Sequence, residues 1–417
     1  MLNAERTLLD RDKPVEDALR IAVVSIGSFD MQYSDYHIMR DLIVELLEHG
    51  HTVDLVQKKL LDKTQYPVQF EKYLGTRLFV HNIPFEKKDK SNLRARYLAD
   101  LSYYRKACRF LKTSRPDKIF LQSNNTAFYT VFYAKHILKR PILYSEQDIF
   151  PENAYFAGIL SSHSVVYKVA HSLQKYAYKN VSMLTTISDD MKSTMIDLYG
   201  ISSDKIHVIY NWGHEEVQAH DEPENVFLKK YPKRPGEFRV MYAGNLGRMQ
   251  NIEFILEVAA LMKEQSNVSF YIVGSGVREE QLKSLAIQRA LTNVIFVGMQ
   301  PPEDVADLYK AADVNLIPLQ KGLIYAAMPS KTADCLIAGK PIITCVDQEA
   351  KIVEVFKQYG ISNANLLEGA KGLVKELEAV RKKHTNIDSD RLLKSRFSKE
   401  ANVRRYRELI AKMREVR

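Results

Sequence analysis

Residues 328–341 (MPSKTADCLIAGKP) have the types and spacing best suited to chemistry on a phosphate. Pro329 stands just ahead of Ser330, a favourable helix N-cap, and Gly339 followed by Pro341 stops the helix. A short helix is therefore predicted to begin at Ser330. Its first N–H groups lack partners and carry the positive end of the helix dipole, which attracts phosphate. Lys331 adds a cation on a flexible arm. One turn on, Asp334 can accept hydrogen bonds from ribose hydroxyls. A plainer account has Ser330 only capping, Lys331 solvated and Asp334 suiting the dipole. The segment alone does not decide between the two.

Two further loops carry signals of the same kind. Residues 241–250 (MYAGNLGRMQ) end a strand in a loop where Gly244 and Gly247 let the backbone pass close to a ligand, with Arg248 as a phosphate donor. Gly274-Ser275-Gly276 also follows a strand but lacks the third glycine of a dinucleotide fingerprint. Earlier in the chain, Asp148 and Glu152 follow the run Ile142-Leu143-Tyr144, with Pro151 stiffening the turn between them. One of these acids can orient a hydroxyl or take its proton, and a resemblance set out below favours Asp148 over Glu152; the alternative is that both cap a helix starting near Asn153. His163 is the next candidate base on the acceptor side.

Such residues need elements to hold them. Short apolar strands alternate with amphipathic stretches: strands are predicted at 21–26, 52–56, 118–121, 142–144, 183–187 and 207–210. Residues 221–236 (DEPENVFLKKYPKRPG) break the pattern and read as a linker. The alternation restarts with strands at 239–242, 268–273, 294–297, 314–317 and 342–345. This is an α/β chain of two Rossmann-like, doubly wound domains facing across a cleft, with ligands at the carboxyl ends of the sheets. The division is 1–19 as an extension, 20–220 as the first Rossmann-like domain, 221–236 as the linker, 237–395 as the second, and 396–417 as a helix packing back toward the first domain. In that last helix Val403, Tyr406, Leu409 and Ile410 share one side.

Taken together, these segments resemble glycosyltransferase family 4, nucleotide-sugar enzymes of the GT-B fold. The resemblance rests on Tyr242-Ala243-Gly244-Asn245, Ile272-Val273-Gly274-Ser275-Gly276, Ala311-Ala312-Asp313 with Pro318, and the block from Pro329-Ser330-Lys331 to Pro341. Within the family the chain is similar to the bacterial surface-polysaccharide branch related to N-acetyl-fucosamine transferases, on Gln147-Asp148-Ile149-Phe150-Pro151-Glu152, Ser188 and Asn211-Trp212. The resemblance implies that Ser330 and Lys331 hold the donor diphosphate and that Asp334 stands for the second Glu of the E-x7-E motif. It also implies that Gly274 and Gly298-Met299 border the base and that Gly27 lies beneath the sugar and phosphates. It departs at Ala326, where the first Glu falls, at Asn245 and Gln250, where an Arg and a Lys are usual, and at Gln147 in place of a His. Arg248 and Lys331 are the substitutes expected to stabilise charge, with Asp148 the third catalytic candidate. No acidic D-x-D pair follows a strand, so a metal site is not expected, nor a cofactor beyond the nucleotide-sugar co-substrate.

The composition is compatible with this reading. The 417 residues are 46% hydrophobic, enough to bury the cores of two or three domains. Three cysteines, none in a C-x-x-C pair, suit a reducing cytoplasm, and the charged N-terminus does not read as a secretory signal. The net charge of +9 suits an anionic partner. It is concentrated at 87–118, where a helix carries the apolar stripe Leu93, Tyr97, Leu101, Tyr104, Cys108 and Leu111, edged by Arg94, Arg105, Arg109 and Lys112, with Tyr103 nearby. That edge is either a solvated basic face or a surface for anionic lipid at the inner face of the cell membrane. Nucleic acid is not expected, because no recognised motif accompanies the charge. The expected function is retaining transfer of a sugar, from a UDP-sugar above other donors, to a saccharide or lipid-linked saccharide in surface-polysaccharide synthesis. A nucleotide-sugar epimerase of the same architecture and a non-catalytic sugar-nucleotide-binding partner are the alternatives.

Overall fold

The computed structural model of the protein describes residues 18–29, 36–59, 66–86, 93–215, 219–383 and 387–414. Most of the expected extension, with Asp10 and Asp12, and residues 87–92 of the basic segment lie outside the described residues. Two parallel sheets organise the chain. The first is seven-stranded and joins β1 (Arg20–Val24), β2 (Thr52–Lys59), β3 (Leu78–Pro84), β4 (Lys118–Gln122), β5 (Ile142–Glu146), β6 (Met183–Thr186) and β7 (Ile206–Val208) in the order β3-β2-β1-β4-β5-β6-β7. The second is six-stranded, with β8 (Phe238–Ala243), β9 (Val268–Val273), β10 (Val294–Val297), β11 (Val314–Pro318), β12 (Ile342–Cys345) and β13 (Ser362–Asn363) in the order β10-β9-β8-β11-β12-β13. Each sheet therefore winds outward both ways from its first strand. Each has a switch point, between β1 and β4 and between β8 and β11, where an open parallel sheet leaves a crevice at its carboxyl edge.

Strands of such sheets are covered on both faces and must be apolar on both. The run Ile21-Ala22-Val23-Val24 is fully buried, and every residue of β9 and β12 is buried. In the second sheet Val240, Phe270, Leu316 and Ile343 pack with the helix Ile252–Leu261 and with Leu373 and Leu377 of the helix Ala370–Lys383. β3 and β13 were absent from the sequence reading. Both lie at sheet edges.

By its contacts the chain divides into two compact units. One holds the described parts of 1–145, 176–184 and 403–417; the other holds those of 146–175 and 185–402. The segment read as a linker is built into the second unit. It carries the helix Val226–Lys230, capped by the fully buried Asn225, whose amide also donates to the Asp307 carbonyl. The Asp307 carboxylate accepts from the backbone N–H groups of His220 and Val226 at 2.6 and 2.7 Å. In the first unit, the end of the helix Lys399–Lys412 is held by Lys118, whose ammonium donates to the carbonyls of Ile410 and Ala411. Arg407 there pairs with Glu45 at 2.9 Å. Val403, Tyr406 and Ile410 are buried as the spacing predicts.

Of the stripe predicted in the helix Leu93–Ser114, Tyr104, Cys108 and Leu111 are buried, Leu101 is half-buried and Tyr97 is exposed, because the apolar contact is made by the second half of the helix. Tyr103 corrects the reading. It was expected beside the basic edge, yet it is 1% exposed, and its hydroxyl donates to the carbonyls of Ser25 and Val56. One carbonyl lies just past β1 and the other within β2, and a buried phenol that satisfies them belongs to the core.

Candidate functional site

The crevice of the second sheet opens where β8 and β11 end. β8 delivers Tyr242 and Ala243 and then turns at Gly244, whose φ is 143°. The neighbouring strand β9 turns at Gly274, with φ of 130°. The two turns touch: a Cβ on Gly274 would lie 2.0 Å from the Gly244 carbonyl oxygen. Only glycine fits both the angle and the approach. Tyr242 is 1% exposed, and its hydroxyl donates to the Asn245 carbonyl at 2.7 Å, which ties the loop down.

Onto this floor comes Lys331, from the loop that leaves β11. Its ammonium lies 3.8 Å from the centroid of the Tyr242 ring and so close above Gly244 that a Cβ there would come within 2.6 Å of it. The stem is partly exposed, but the nitrogen itself is buried and has no hydrogen-bond partner among the described residues. Burial lowers its pKa from the usual lysine value to about 7. A buried, unpaired cation is costly, and an anion bound beside it would relieve that cost. The lysine is thus held in place, where the sequence reading had a cation on a flexible arm and, as the plainer account, a solvated one.

The helix after it starts later than predicted. It runs Thr332–Ile337, and Ser330 does not cap it. Instead Thr332 closes the turn, its N–H and its hydroxyl both donating to the Pro329 carbonyl at 3.2 and 2.8 Å. Ser330 is exposed, beside a small hollow shared with Asn211, Met328 and Phe397. Asp334 faces His214, accepting from its backbone N–H at 2.9 Å and lying 3.1 Å from Nδ1. Arg248 and Asn245 are exposed in the loop after Gly244, and Met299 is exposed after β10. Gly27, in the other unit, follows β1 and donates its N–H to the Ser25 hydroxyl. Ser188 caps the helix Asp189–Asp197 through the N–H of Met191, and Trp212 is buried.

The loop carrying Asp148 meets the loop carrying Lys331. Asp148 forms an antiparallel bridge with Ala327, and the Ile149 N–H donates to the Ala326 carbonyl at 2.8 Å. Ala326, which replaces the first motif Glu, is fully buried and offers only its backbone. The Asp148 side chain is exposed. Beside it Gln147 accepts from the Asn211 amide at 2.7 Å. His163 is exposed, its N–H on the Ser161 hydroxyl.

Glu152 is a correction. Expected to face an acceptor or to cap a helix, it does neither, being 1% exposed within the helix Glu152–Phe156. Its carboxylate accepts from Tyr167 at 3.0 Å, from His171 Nδ1 at 2.8 Å and from Tyr199 by a short bond. His171 stacks on Tyr199 with centroids 4.3 Å apart. Burial, then the carboxylate, pushes both phenols above the usual tyrosine range. Sequence reasoning missed this network because its members, at 152, 167, 171 and 199, have no common period.

Comparison with known proteins extends the geometry. The model of Glycosyltransferase Family 4 matches residues 37–212, and that of Glycosyl transferases group 1 matches residues 224–387. The probable glycosyltransferase WbjE of Pseudomonas aeruginosa is 25% identical over 280 residues, 66% of this chain and 70% of that protein. The putative colanic acid biosynthesis glycosyl transferase WcaI of Escherichia coli (strain K12) is 28% identical over 182 residues, 43% of this chain and 44% of its own length. Among solved structures, Anabaena Alr3699/HepE in complex with UDP-glucose is similar in fold, with a TM-score of 0.68 at 15% identity, covering 94% of this chain and 99% of that one.

Proposed function

We propose that this chain, a glycosyltransferase of the GT-B type related to bacterial polysaccharide and lipopolysaccharide enzymes, uses a UDP-sugar as donor. It transfers the sugar with retention to a saccharide acceptor carried on lipid, within the surface-polysaccharide branch. The observation that carries the donor half is the buried, unpaired ammonium of Lys331 over Tyr242 and Gly244. Support for the uridine comes from the similarly folded HepE, whose structure holds UDP-glucose.

In this reading Lys331 and the backbone from Ser330 onward hold the diphosphate, and Arg248 supplies a second cation from the loop after Gly244. Asp334 takes the ribose. Gly274 and Met299 border the base, and Gly27 borders the sugar. During transfer the bond from the anomeric carbon to the diphosphate oxygen breaks and its electron pair stays with the diphosphate. The new bond forms to the acceptor oxygen, whose proton passes to Asp148 or to the donor phosphate. Fixed positive charge at the leaving diphosphate stabilises that transition state, because it needs no reorganisation as charge develops. No metal is assigned to this step, so turnover is expected to persist in excess EDTA.

The test is a calorimetric titration of UDP into the wild type and Lys331→Ala. Loss of a charge-assisted contact is worth roughly 1.5–3 kcal/mol, so the variant is expected to bind about 10- to 150-fold more weakly. Equal affinity in a variant folded by circular dichroism would remove Lys331 from the donor site.

A further inference from the structure

Among the described residues no helix is long and apolar enough to cross a membrane. The first unit nevertheless presents a surface with the composition of a lipid contact. The helix Ala127–Tyr133 runs into a π turn, Ala134–Leu138. This segment leaves Phe132 48% and Ile137 49% exposed, although both are large and apolar. Around them lie rings that are polar at one end: Tyr129 stacks along Tyr133, and His136 lies against Phe132 with centroids 4.9 Å apart. Aromatic rings of this kind favour the boundary between water and hydrocarbon.

The charge around them is of one sign. The helix Leu93–Ser114 packs beside this segment, with Arg109 close enough to Tyr133 to act on its phenol. Arg105, Arg109 and Lys112 recur at spacings of four and three on its exposed side, and Lys139 is exposed just after the π turn. From residue 105 to 140 the only acid is Asp117, and it accepts the backbone N–H of Arg20. Among the described residues no carboxylate pairs with Arg105, Arg109, Lys112 or Lys139. The core of a protein–protein interface is depleted of unpaired charge, whereas lipid phosphates supply a layer of partners for it.

We propose that these two helices dock on an anionic membrane, with Phe132 and Ile137 entering the interface and Arg105, Arg109, Lys112 and Lys139 meeting lipid phosphates. The basic edge recognised in the sequence is half of this surface. The segment 127–138 supplies the other half, and Tyr103 takes no part. The lipid-linked acceptor proposed above gives such docking its purpose, but the binding itself does not depend on that acceptor.

The experiment is co-sedimentation of the full chain with vesicles of phosphatidylcholine alone or mixed with phosphatidylglycerol. Wild type is expected to bind the mixed vesicles and to leave them as salt rises from about 0.1 M to about 1 M. Phe132→Ser with Ile137→Ser keeps every charge and is expected to lower binding at least about tenfold, through lost apolar burial. Arg105→Glu with Arg109→Glu is expected to remove the preference for anionic vesicles. Phe132→Trp is expected to shift its emission to the blue on mixed vesicles. Equal binding to neutral and anionic vesicles, or a Ser variant that binds like the wild type, would overturn the proposal. Binding to neither vesicle would overturn it as well and leave the surface to a soluble partner. UDP titration of each variant should match the wild type, so a failure of the donor reading shows separately as absent UDP binding in the wild type.

Discussion

The unpaired ammonium of Lys331 makes donor binding depend on pH in a defined direction. Free, the group titrates at about 7 because it is buried. A bound diphosphate favours the charged form and raises that value. Below pH 7 the lysine is charged both free and bound, and affinity does not vary through it. Above pH 7 the free lysine is neutral and must take up a proton to bind the anion, so affinity falls. If the bound group titrates above 9, the fall from pH 7 to pH 9 is about fiftyfold, or about 2.3 kcal/mol. At pH 8 binding should take up about 0.9 proton per UDP, since only about a tenth of the free lysine is charged there. The terminal phosphate of UDP, with a second pKa near 6 as for other phosphates, contributes little at that pH. Calorimetry in two buffers of different ionisation enthalpy measures the uptake. Lys331→Met should bind weakly with no uptake at pH 8. It should also melt higher than the wild type at pH 7. The unfolded lysine titrates near the ordinary lysine value of 10.5, so the unfolded chain binds the extra proton between 7 and 10.5 and stability through this group is lowest below pH 7. Absence of proton uptake at pH 8, with equal affinity at pH 7 and 9, would refute the reasoning.

Three other substitutions probe the same architecture. Gly244→Ala places a Cβ 2.6 Å from the Lys331 nitrogen at a φ of 143°, and should weaken UDP binding about tenfold or more while lowering the melting temperature; unchanged titration would show that the lysine does not depend on this floor. Glu152→Gln leaves three donors facing an amide in a buried site, and urea denaturation should show a loss of about 2–3 kcal/mol; a loss under about 0.5 kcal/mol would make the network incidental. Asp148→Asn should reduce turnover with UDP affinity unchanged, because the role proposed for the group is toward the acceptor; wild-type turnover across pH would leave the proton to the donor phosphate.

Much of the fold can be read from the chain because parallel strands are short, apolar and buried on both faces, and such runs stand out from the amphipathic helices between them. β9, β10 and β12 fall where the residue pattern puts them. β3 escaped notice because it is an edge strand, its apolar run Leu78-Phe79-Val80 broken by His81-Asn82 and ended by Pro84. The donor loop was legible as a motif, but its geometry was not. The Thr332 hydroxyl competes for the Pro329 carbonyl and moves the helix start past Ser330, and the burial of Lys331 depends on Tyr242 and Gly244, some ninety positions earlier. Glu152 and Tyr103 failed for a shared reason. A polar side chain with enough partners is buried without penalty, and those partners come from elements distant in sequence.

The union of the Asp148 loop with the Lys331 loop is made by main-chain atoms, through the bridge to Ala327 and the bond from Ile149 to Ala326. A join of that kind is indifferent to side-chain identity. Residues around Asp148 can be exchanged one at a time without disturbing the alignment of that loop against the one that carries Lys331. If the proposed roles hold, acceptor preference can drift, or be re-engineered, independently of donor handling, and substitutions at Gln147, Asp148 and Phe150 are the natural starting library.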